Sequence, residues 1–309
     1  MDESKIVDKA VFEIISSNSC PLIGPDVIGL INECLDLPHL THLERRFLEE
    51  WHGHYIPMLK FIKDTAVKGI RVSGMPEPHL HLPKYPLSFF ISYSSDARLN
   101  SFEMLTREIH EIWIALRILK EFVKEIDFVW FQQSSTTLVA EVGKHSLWYK
   151  FDITPHTMCE GELRYYCGSF DVERCREPLP QWLLQIWSRA QIVLGKSPRE
   201  LLGLRPDIVF TQTVRSCRDL FESSTLTIKL IIKCKNFDYE YWTTDIEKQI
   251  IPYKRILQPE HMVVASLKPV LQDVKNKLKS LRMEVIDDVY SGGIGEKQLI
   301  DYVKQVLFS

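Results

Sequence analysis

Two stretches of the sequence decide the fold: RPDIV at residues 205–209 and IKLIIKCKN at residues 228–236. The first reads as the start of a strand, and the second contains the mostly apolar run at residues 228–232, which is typical of a strand buried in a sheet. Alternate residues of a strand point to the same side, so Lys233 and Lys235 share one face at the end of the second stretch. If the two strands are neighbours, that face looks towards Asp207.

Strands alternate with helices through the rest of the C-terminal region, which predicts an α/β fold with a central mixed sheet flanked by helices. Gly143 and Lys144 form a plausible hairpin turn. Pro252 lies inside a helical stretch and is expected to kink or restart it, and Thr243 or Thr244 is the expected N-cap of that helix. Strands are predicted at residues 128–132, 137–142, 146–153, 208–211, 226–234, 261–267 and 283–289, and helices at residues 101–125, 180–194, 271–281 and 296–308.

Two domains are expected. Residues 1–85 are predicted to form a helical N-terminal domain, because apolar residues recur there at helical spacing before a proline-rich linker. Residues 86–309 are assigned to the α/β domain, with an insertion at about residues 155–200. On the long helix that opens this domain, Glu108 is expected at the edge of the apolar stripe, whereas Glu111 is expected to be turned further out.

The composition is that of an ordinary soluble globular protein. The chain has 309 residues, of which 45% are hydrophobic and 26% charged, and its formal net charge is −3. That balance lacks the basic excess of a protein held to DNA by charge alone, although a local basic cleft is compatible with it. The sequence has no apolar run long enough to span a membrane and no signal-peptide pattern. The seven cysteines are therefore expected to be reduced, and the protein is expected in the cytoplasm, away from membranes.

The residues on the two decisive strands are of the types that metal-dependent phosphodiester cleavage requires. A carboxylate holds Mg²⁺, the metal polarises the phosphate and lowers the pKa of an attacking water, and a cation stabilises the developing charge. Asp207 is the candidate metal carboxylate and Lys235 the candidate cation. Taken singly, Asp207 also fits a turn after proline, and the lysine pair fits a solvated strand end.

This order of motifs resembles the PD-(D/E)XK nuclease superfamily, whose core consists of a helix, three strands, a helix and a strand. The Pro-Asp pair that ends at Asp207 matches the first motif of the family, and Lys235 matches its catalytic lysine. Gln249 and Tyr253 have the spacing of the QxxxY motif in the RecB-like branch. The resemblance covers roughly residues 100–309.

The resemblance implies a restriction-endonuclease-like core, a DNA endonuclease or exonuclease activity and a Mg²⁺ or Mn²⁺ cofactor. It implies that Gln249, Tyr253 and Arg205 contact the DNA. It also implies a metal-binding acid on the first core helix, for which Glu108 is the best match. Gln249 and Tyr253 also fit one face of an amphipathic helix without any function. Glu108 also fits a charge on the flank of its helix.

The sequence departs from the family at Lys233, where the second acid of the motif should stand. A protonated lysine offers no lone pair to a metal, and two ammonium groups beside one carboxylate repel Mg²⁺. Three explanations stay open: Glu247 supplies the missing acid, the domain is a degenerate nuclease that still binds nucleic acid, or Lys233 is an inactivating substitution. The candidate catalytic residues are therefore Asp207, Lys233, Lys235 and Glu108, and the candidate metal ligands are Asp207, Glu108 and Glu247.

Two classes of function compete with a DNA-cleaving enzyme. The first is a catalytically inactive nuclease-fold module that binds nucleic acid or a protein partner. The second is an interaction protein that touches no nucleic acid. A homodimer, or a protein partner bound through the N-terminal domain, is compatible with the sequence in each case.

Overall fold

The structure is a computed structural model, and part of the 309-residue chain is described in it. The helices expected before residue 49, the proline-rich linker and most of the expected insertion lie outside the described residues. The described ranges are residues 49–65, 70–73, 96–123, 129–132, 137–151, 179–195, 205–214 and 217–308.

The chain divides into two compact units. The first comprises residues 1–120 and 125–129, and the second comprises residues 121–124 and 130–309. The expected domain boundary at residue 85 lies outside the described residues, so that boundary stays a prediction.

Regular elements account for most of the described residues. The helices are α1 (Ile56–Thr65), α2 (Asp96–Phe122), α3 (Gln181–Leu194), α4 (Cys217–Glu222), α5 (Tyr239–Asp245), α6 (Ile251–Leu257), α7 (Gln272–Ser280) and α8 (Ile294–Phe308), with π-helical turns at Trp51–Tyr55 and Ile246–Ile250. The strands are β1 (Ile70–Ser73), β2 (Val129–Gln132), β3 (Thr137–Val142), β4 (His145–Tyr149), β5 (Ile208–Gln212), β6 (Ile228–Lys235), β7 (His261–Ser266) and β8 (Glu284–Ile286). Among the described helices, none is both long and apolar enough to cross a membrane.

A six-stranded mixed sheet with the order β3-β4-β5-β6-β7-β8 forms the second unit, which confirms the predicted α/β class. Strands β3 to β6 pair antiparallel, whereas β6, β7 and β8 pair parallel. The predicted hairpin between β3 and β4 is confirmed, and Gly143 turns the chain there with a φ of 60° that favours glycine. Strand β6 therefore lies where the antiparallel and parallel halves of the sheet meet.

Helices pack on the sheet because its inner strands are apolar on both faces. One core cluster joins Trp187 of α3 and Ile256 of α6 to Val209, Ile231 and Val264 of the three central strands. Helix α8 contacts β6 and β8 with buried residues that do not belong to this cluster. A buried strand needs apolar cover on both faces, which explains the long apolar run of β6.

Helix α2 differs from the sequence-based expectation. It is buried on all sides from Ile109 to Leu119 except at Arg117, so it has no solvated face in this stretch. The expectation that Glu111 is turned outward is wrong: Glu111 is fully buried, and its carboxylate lies 3.8 Å from the guanidinium of Arg107. A buried carboxylate needs such a partner, since burial penalises an isolated charge.

The helical segment after β6 begins earlier than expected. Helix α5 starts at Tyr239 with Asp238 as its N-cap residue, so the expectation of a cap at Thr243 or Thr244 is wrong. The hydroxyl of Thr243 instead donates to the carbonyl of Glu240 inside the helix. The expectation for Pro252 is confirmed, because a new helix, α6, begins beside it after a π-helical turn. Proline is well placed at the first turn, where its missing N–H is not needed.

The first turn of α8 requires glycine at residue 295. A Cβ atom built there would overlap the carbonyl oxygen of Asp287, a backbone atom that cannot rotate away. We expect Gly295→Ala to lower the free energy of unfolding by about 1–3 kcal/mol, the range for forced overpacking. Gly53→Ala is the control, because no atom lies within 4 Å of a Cβ there. Equal denaturant midpoints for the two variants would show that the turn tolerates a side chain.

Candidate functional site

Asp207 and Lys233 meet because β5 and β6 are antiparallel neighbours. Ile208 pairs with Ile232 in the register of these strands. Asp207, which precedes Ile208, therefore lies opposite Lys233, which follows Ile232. Lys233 Nζ lies 2.9 Å from Asp207 Oδ1, and both side chains are buried. The face-to-face arrangement expected from the sequence is therefore present.

Two further groups hold the Asp207 carboxylate. The backbone N–H of Cys234 donates to Oδ2 at 2.8 Å, and Lys150 Nζ lies 3.6 Å from Oδ1. Lys150 reaches this position because β4 pairs with β5 and its own backbone N–H donates to the Asp207 carbonyl at 2.8 Å. Lys150 was not predicted as a site residue: it lies within the predicted strand at residues 146–153, but its contact with Asp207 depends on the pairing of β4 with β5.

The environment of Asp207 favours the ionised carboxylate. Burial acts to raise the pKa of Asp207, but the positive charges of Lys233 and Lys150 lower it, as do the hydrogen bonds from Lys233 and from the Cys234 N–H. The balance holds the pKa of this carboxyl well below its usual range. A carboxylate with these partners is charged at neutral pH.

Lys235 has a different partner from Lys233. Its ammonium group forms an ion pair with the carboxylate of Asp245 at the end of α5, and it lies 5.7 Å from the ring centroid of Trp242. Burial lowers the pKa of Lys235, the charge of Lys233 lowers it further, and the carboxylates of Asp245 and Asp207 act against this shift. Sequence reasoning assigned neither Asp245 nor Trp242 to the site, because both come from a helix whose position depends on its packing.

The remaining candidate residues occupy different surroundings. Tyr253 is buried: Lys233 Nζ lies 5.7 Å from its ring centroid, and its hydroxyl accepts the backbone N–H of Arg205 at 3.2 Å. Gln249 is half-buried on the turn before α6. Glu247 is exposed and pairs with Lys277 at 2.8 Å. The expected contacts of Gln249, Tyr253 and Arg205 with DNA stay predictions.

The described residues of the site do not fit a Mg²⁺ or Mn²⁺ ion. Across the described part of the chain, no three His, Cys, Asp or Glu residues lie close enough to hold a metal. Both oxygens of Asp207 already accept hydrogen bonds, and three ammonium groups stand among two carboxylates. Glu108 belongs to α2, but its side chain is outside the described residues.

No protein-family model, no curated protein and no solved structure matches this chain. The resemblance to the nuclease superfamily therefore depends on the residues and on the topology described above.

The shifted pKa of Asp207 makes a prediction about acid stability. Because the folded-state pKa lies below the unfolded value of about 3.9, the carboxylate stabilises the fold above that pH and loses this effect as the pH falls further. We expect Asp207→Asn to lower the free energy of unfolding at pH 7 by about 3–5 kcal/mol, because it leaves buried ammonium groups without their counter-ion. The variant should also lose less stability than the natural chain on acidification.

The control is Asp301→Asn on the exposed side of α8. A surface change of this kind should alter the free energy of unfolding by no more than about 0.5 kcal/mol. Denaturant unfolding at several pH values measures all three proteins. Parallel pH curves for the natural chain and Asp207→Asn would contradict the assignment of Asp207 as a buried, charged carboxylate.

Proposed function

We propose that this protein is a nuclease-fold module that binds nucleic acid without cleaving it. The observation that carries the proposal is the 2.9 Å contact between Lys233 Nζ and Asp207 Oδ1. In the resembling family a second acid stands at the position of Lys233, and the two acids share a divalent metal. In this chain the charge at that position is reversed.

The topology supports the nuclease-fold part of the proposal. Strands β4, β5 and β6 form an antiparallel set, helices α5 and α6 follow, and β7 then pairs parallel to β6. This is the three-strand, helix and strand order of the family core. Asp207 precedes the second of these strands, and Lys233 and Lys235 end the third, as the family motifs require.

Charge supports the non-cleaving part of the proposal. The ammonium group of Lys233 neutralises Asp207 from the side where a metal would have to bind, and Lys150 adds a second positive charge. Two unit charges 4 Å apart repel by about 4 kcal/mol at an effective dielectric constant of 20, and a divalent ion is repelled more strongly. A metal could bind Asp207 only if Lys233 moved away.

The same charges favour an anionic partner. Among the described residues, the ammonium groups of Lys150, Lys233 and Lys235 outnumber the carboxylates of Asp207 and Asp245 by one at the end of β6. Lys233 and Lys235 keep 10% and 8% of their side-chain surface accessible. Phosphate groups of a nucleic acid backbone bind such a surplus with release of counter-ions, so binding weakens as salt rises.

Metal-dependent DNA cleavage, as an endonuclease or exonuclease, is the second candidate function. The ion pair between Lys235 and Asp245 favours it, because it brings a second carboxylate into the same lysine cluster. Cleavage by this route would require Lys233 to leave Asp207. The two candidates make opposite predictions in a nuclease assay.

The first test measures cleavage and binding together. Supercoiled and single-stranded DNA are incubated with the full chain in Mg²⁺ or Mn²⁺, and binding to single-stranded DNA is measured over a range of salt concentrations. We expect no cleavage and an affinity that falls with salt. Lys233→Glu should weaken binding and reduce the slope of log affinity against log salt concentration by about one or two. Lys297→Glu changes an exposed lysine of α8 and should have a smaller effect. Cleavage by the natural chain that disappears in Asp207→Ala would overturn the proposal in favour of the enzyme.

A second test uses metal-dependent stability. Lys233→Glu places two carboxylates where one ion pair stood, so this variant should be less stable without metal and should gain stability from Mn²⁺. At a Mn²⁺ concentration 100 times the Kd, the gain is about 2.7 kcal/mol. Thermal unfolding of the natural chain should not respond to Mn²⁺. A rise in the Tm of the natural chain that Asp207→Asn abolishes would show that a metal displaces Lys233.

A further inference from the structure

Cationic side chains also converge at the opposite end of the parallel half of the sheet. Lys229 is the second residue of β6, and His261 is the first residue of β7. His261 pairs with Leu230, next to Lys229. Val263 pairs with Glu284, the first residue of β8, and Arg282 lies two residues before that strand. Neighbouring strands lie about 4.8 Å apart, so Lys229, His261 and Arg282 come from the start of three adjacent strands at one edge of the sheet.

A fourth cation reaches the same edge from a helix. Lys254 lies in the last turn of α6, and its Nζ donates to the carbonyl of Pro259, two residues before His261, at 2.9 Å. We call Lys229, Lys254, His261 and Arg282 the strand-start cluster. Lys229 and Lys235 are six residues apart on one strand, or about 20 Å. The strand-start cluster is therefore separate from the candidate site around Asp207, Lys233 and Lys235.

Few carboxylates balance the strand-start cluster. Glu260 pairs with Lys229 at 2.8 Å. Among the described residues no carboxylate forms an ion pair with Arg282 or Lys254, and the guanidinium of Arg282 is exposed. Glu284 is the acid in β8, and its charge adds to the effect of burial in raising the pKa of Tyr302 of α8.

The protonation behaviour of the cluster agrees with a positive potential. Burial lowers the pKa of Lys254, and the charge of Arg282 lowers it further. Burial also lowers the pKa of His261, as do the charges of Lys229 and Lys254, while Glu260 acts in the opposite direction. These charge effects join Lys229 to His261 across neighbouring strands, and they join Lys254 of α6 to both His261 and Arg282.

We propose that the strand-start cluster is a phosphate-binding site. Arg282 offers the forked donors that bind a phosphate through two hydrogen bonds, while Lys254 and Lys229 supply point charges. A bound phosphate relieves the mutual repulsion of Lys254, Arg282 and Lys229, of which Lys229 alone has a carboxylate partner among the described residues. The site binds either free inorganic phosphate or a phosphate of a nucleic acid backbone. This proposal does not depend on the function proposed for the site around Asp207 and Lys233.

The test follows the His261 ring by NMR in the full chain. Inorganic phosphate is titrated at constant ionic strength against potassium chloride. We expect a saturable shift of the His261 signals and a rise in the His261 pKa, because a bound anion favours the imidazolium form. Arg282→Gln should weaken phosphate binding about tenfold, which corresponds to the loss of roughly one charge-assisted hydrogen bond. Lys254→Gln tests the same site from a second element. Lys297→Gln removes an equal charge from α8 and should leave phosphate binding unchanged.

A second titration identifies the source of the phosphate. Short single-stranded DNA without terminal phosphates offers backbone phosphates alone. If it shifts the His261 signals and Arg282→Gln reduces the effect, the site binds nucleic acid; if inorganic phosphate alone does so, the site binds the free ion. The proposal is overturned if neither ligand produces a response beyond that of chloride. It is equally overturned if Arg282→Gln and Lys254→Gln bind phosphate as the Lys297→Gln control does.

Discussion

The candidate site depends on one interaction, the buried ion pair between Asp207 and Lys233. Neither charge could remain buried alone, because the desolvation of an unpaired ion costs several kcal/mol. The pair forms only if β5 and β6 keep their register, since a slip of one residue would turn both side chains to the other face of the sheet. The Cys234 N–H and Lys150 also contact the Asp207 carboxylate. This carboxylate therefore joins the start of β5 to the last residues of β6 and to the residue after β4.

This interaction also determines which chemistry the site favours. In the resembling nucleases a divalent metal joins two acids at this place, whereas here an ammonium group provides the compensating charge from within the protein. Asp207 is thereby paired without a metal, and we propose that the excess of ammonium groups over carboxylates among the described residues at the end of β6 favours a phosphate over a cation. At the other end of β6, Lys229 belongs to the strand-start cluster, so both ends of this strand present cationic groups.

The parts of the fold that depend on local apolar pattern were predictable from the sequence. Strands β6 and β7 lie close to their predicted ranges because continuous apolar runs allow few alternatives, and the Gly143 turn follows from the φ that it requires. The site was predictable as far as Asp207 and Lys233 facing each other. Lys150 and Asp245 were missed, because their contacts depend on the strand order and on how α5 packs, which no local pattern encodes. Glu111 was misjudged because α2 is buried on all sides, and helical periodicity carries no information in that case.

A double-mutant cycle on Asp207 and Lys233 tests the central ion pair most directly. The free energies of unfolding of Asp207→Asn, Lys233→Met and the double variant are measured at pH 7 against the natural chain. If the two charges form the buried pair, the double variant should be less destabilised than the sum of the single variants by about 1–3 kcal/mol, the coupling expected of residues in direct contact. Additive effects, within about 0.5 kcal/mol, would contradict the pairing and with it the proposal that Lys233 takes the place of a metal at this site.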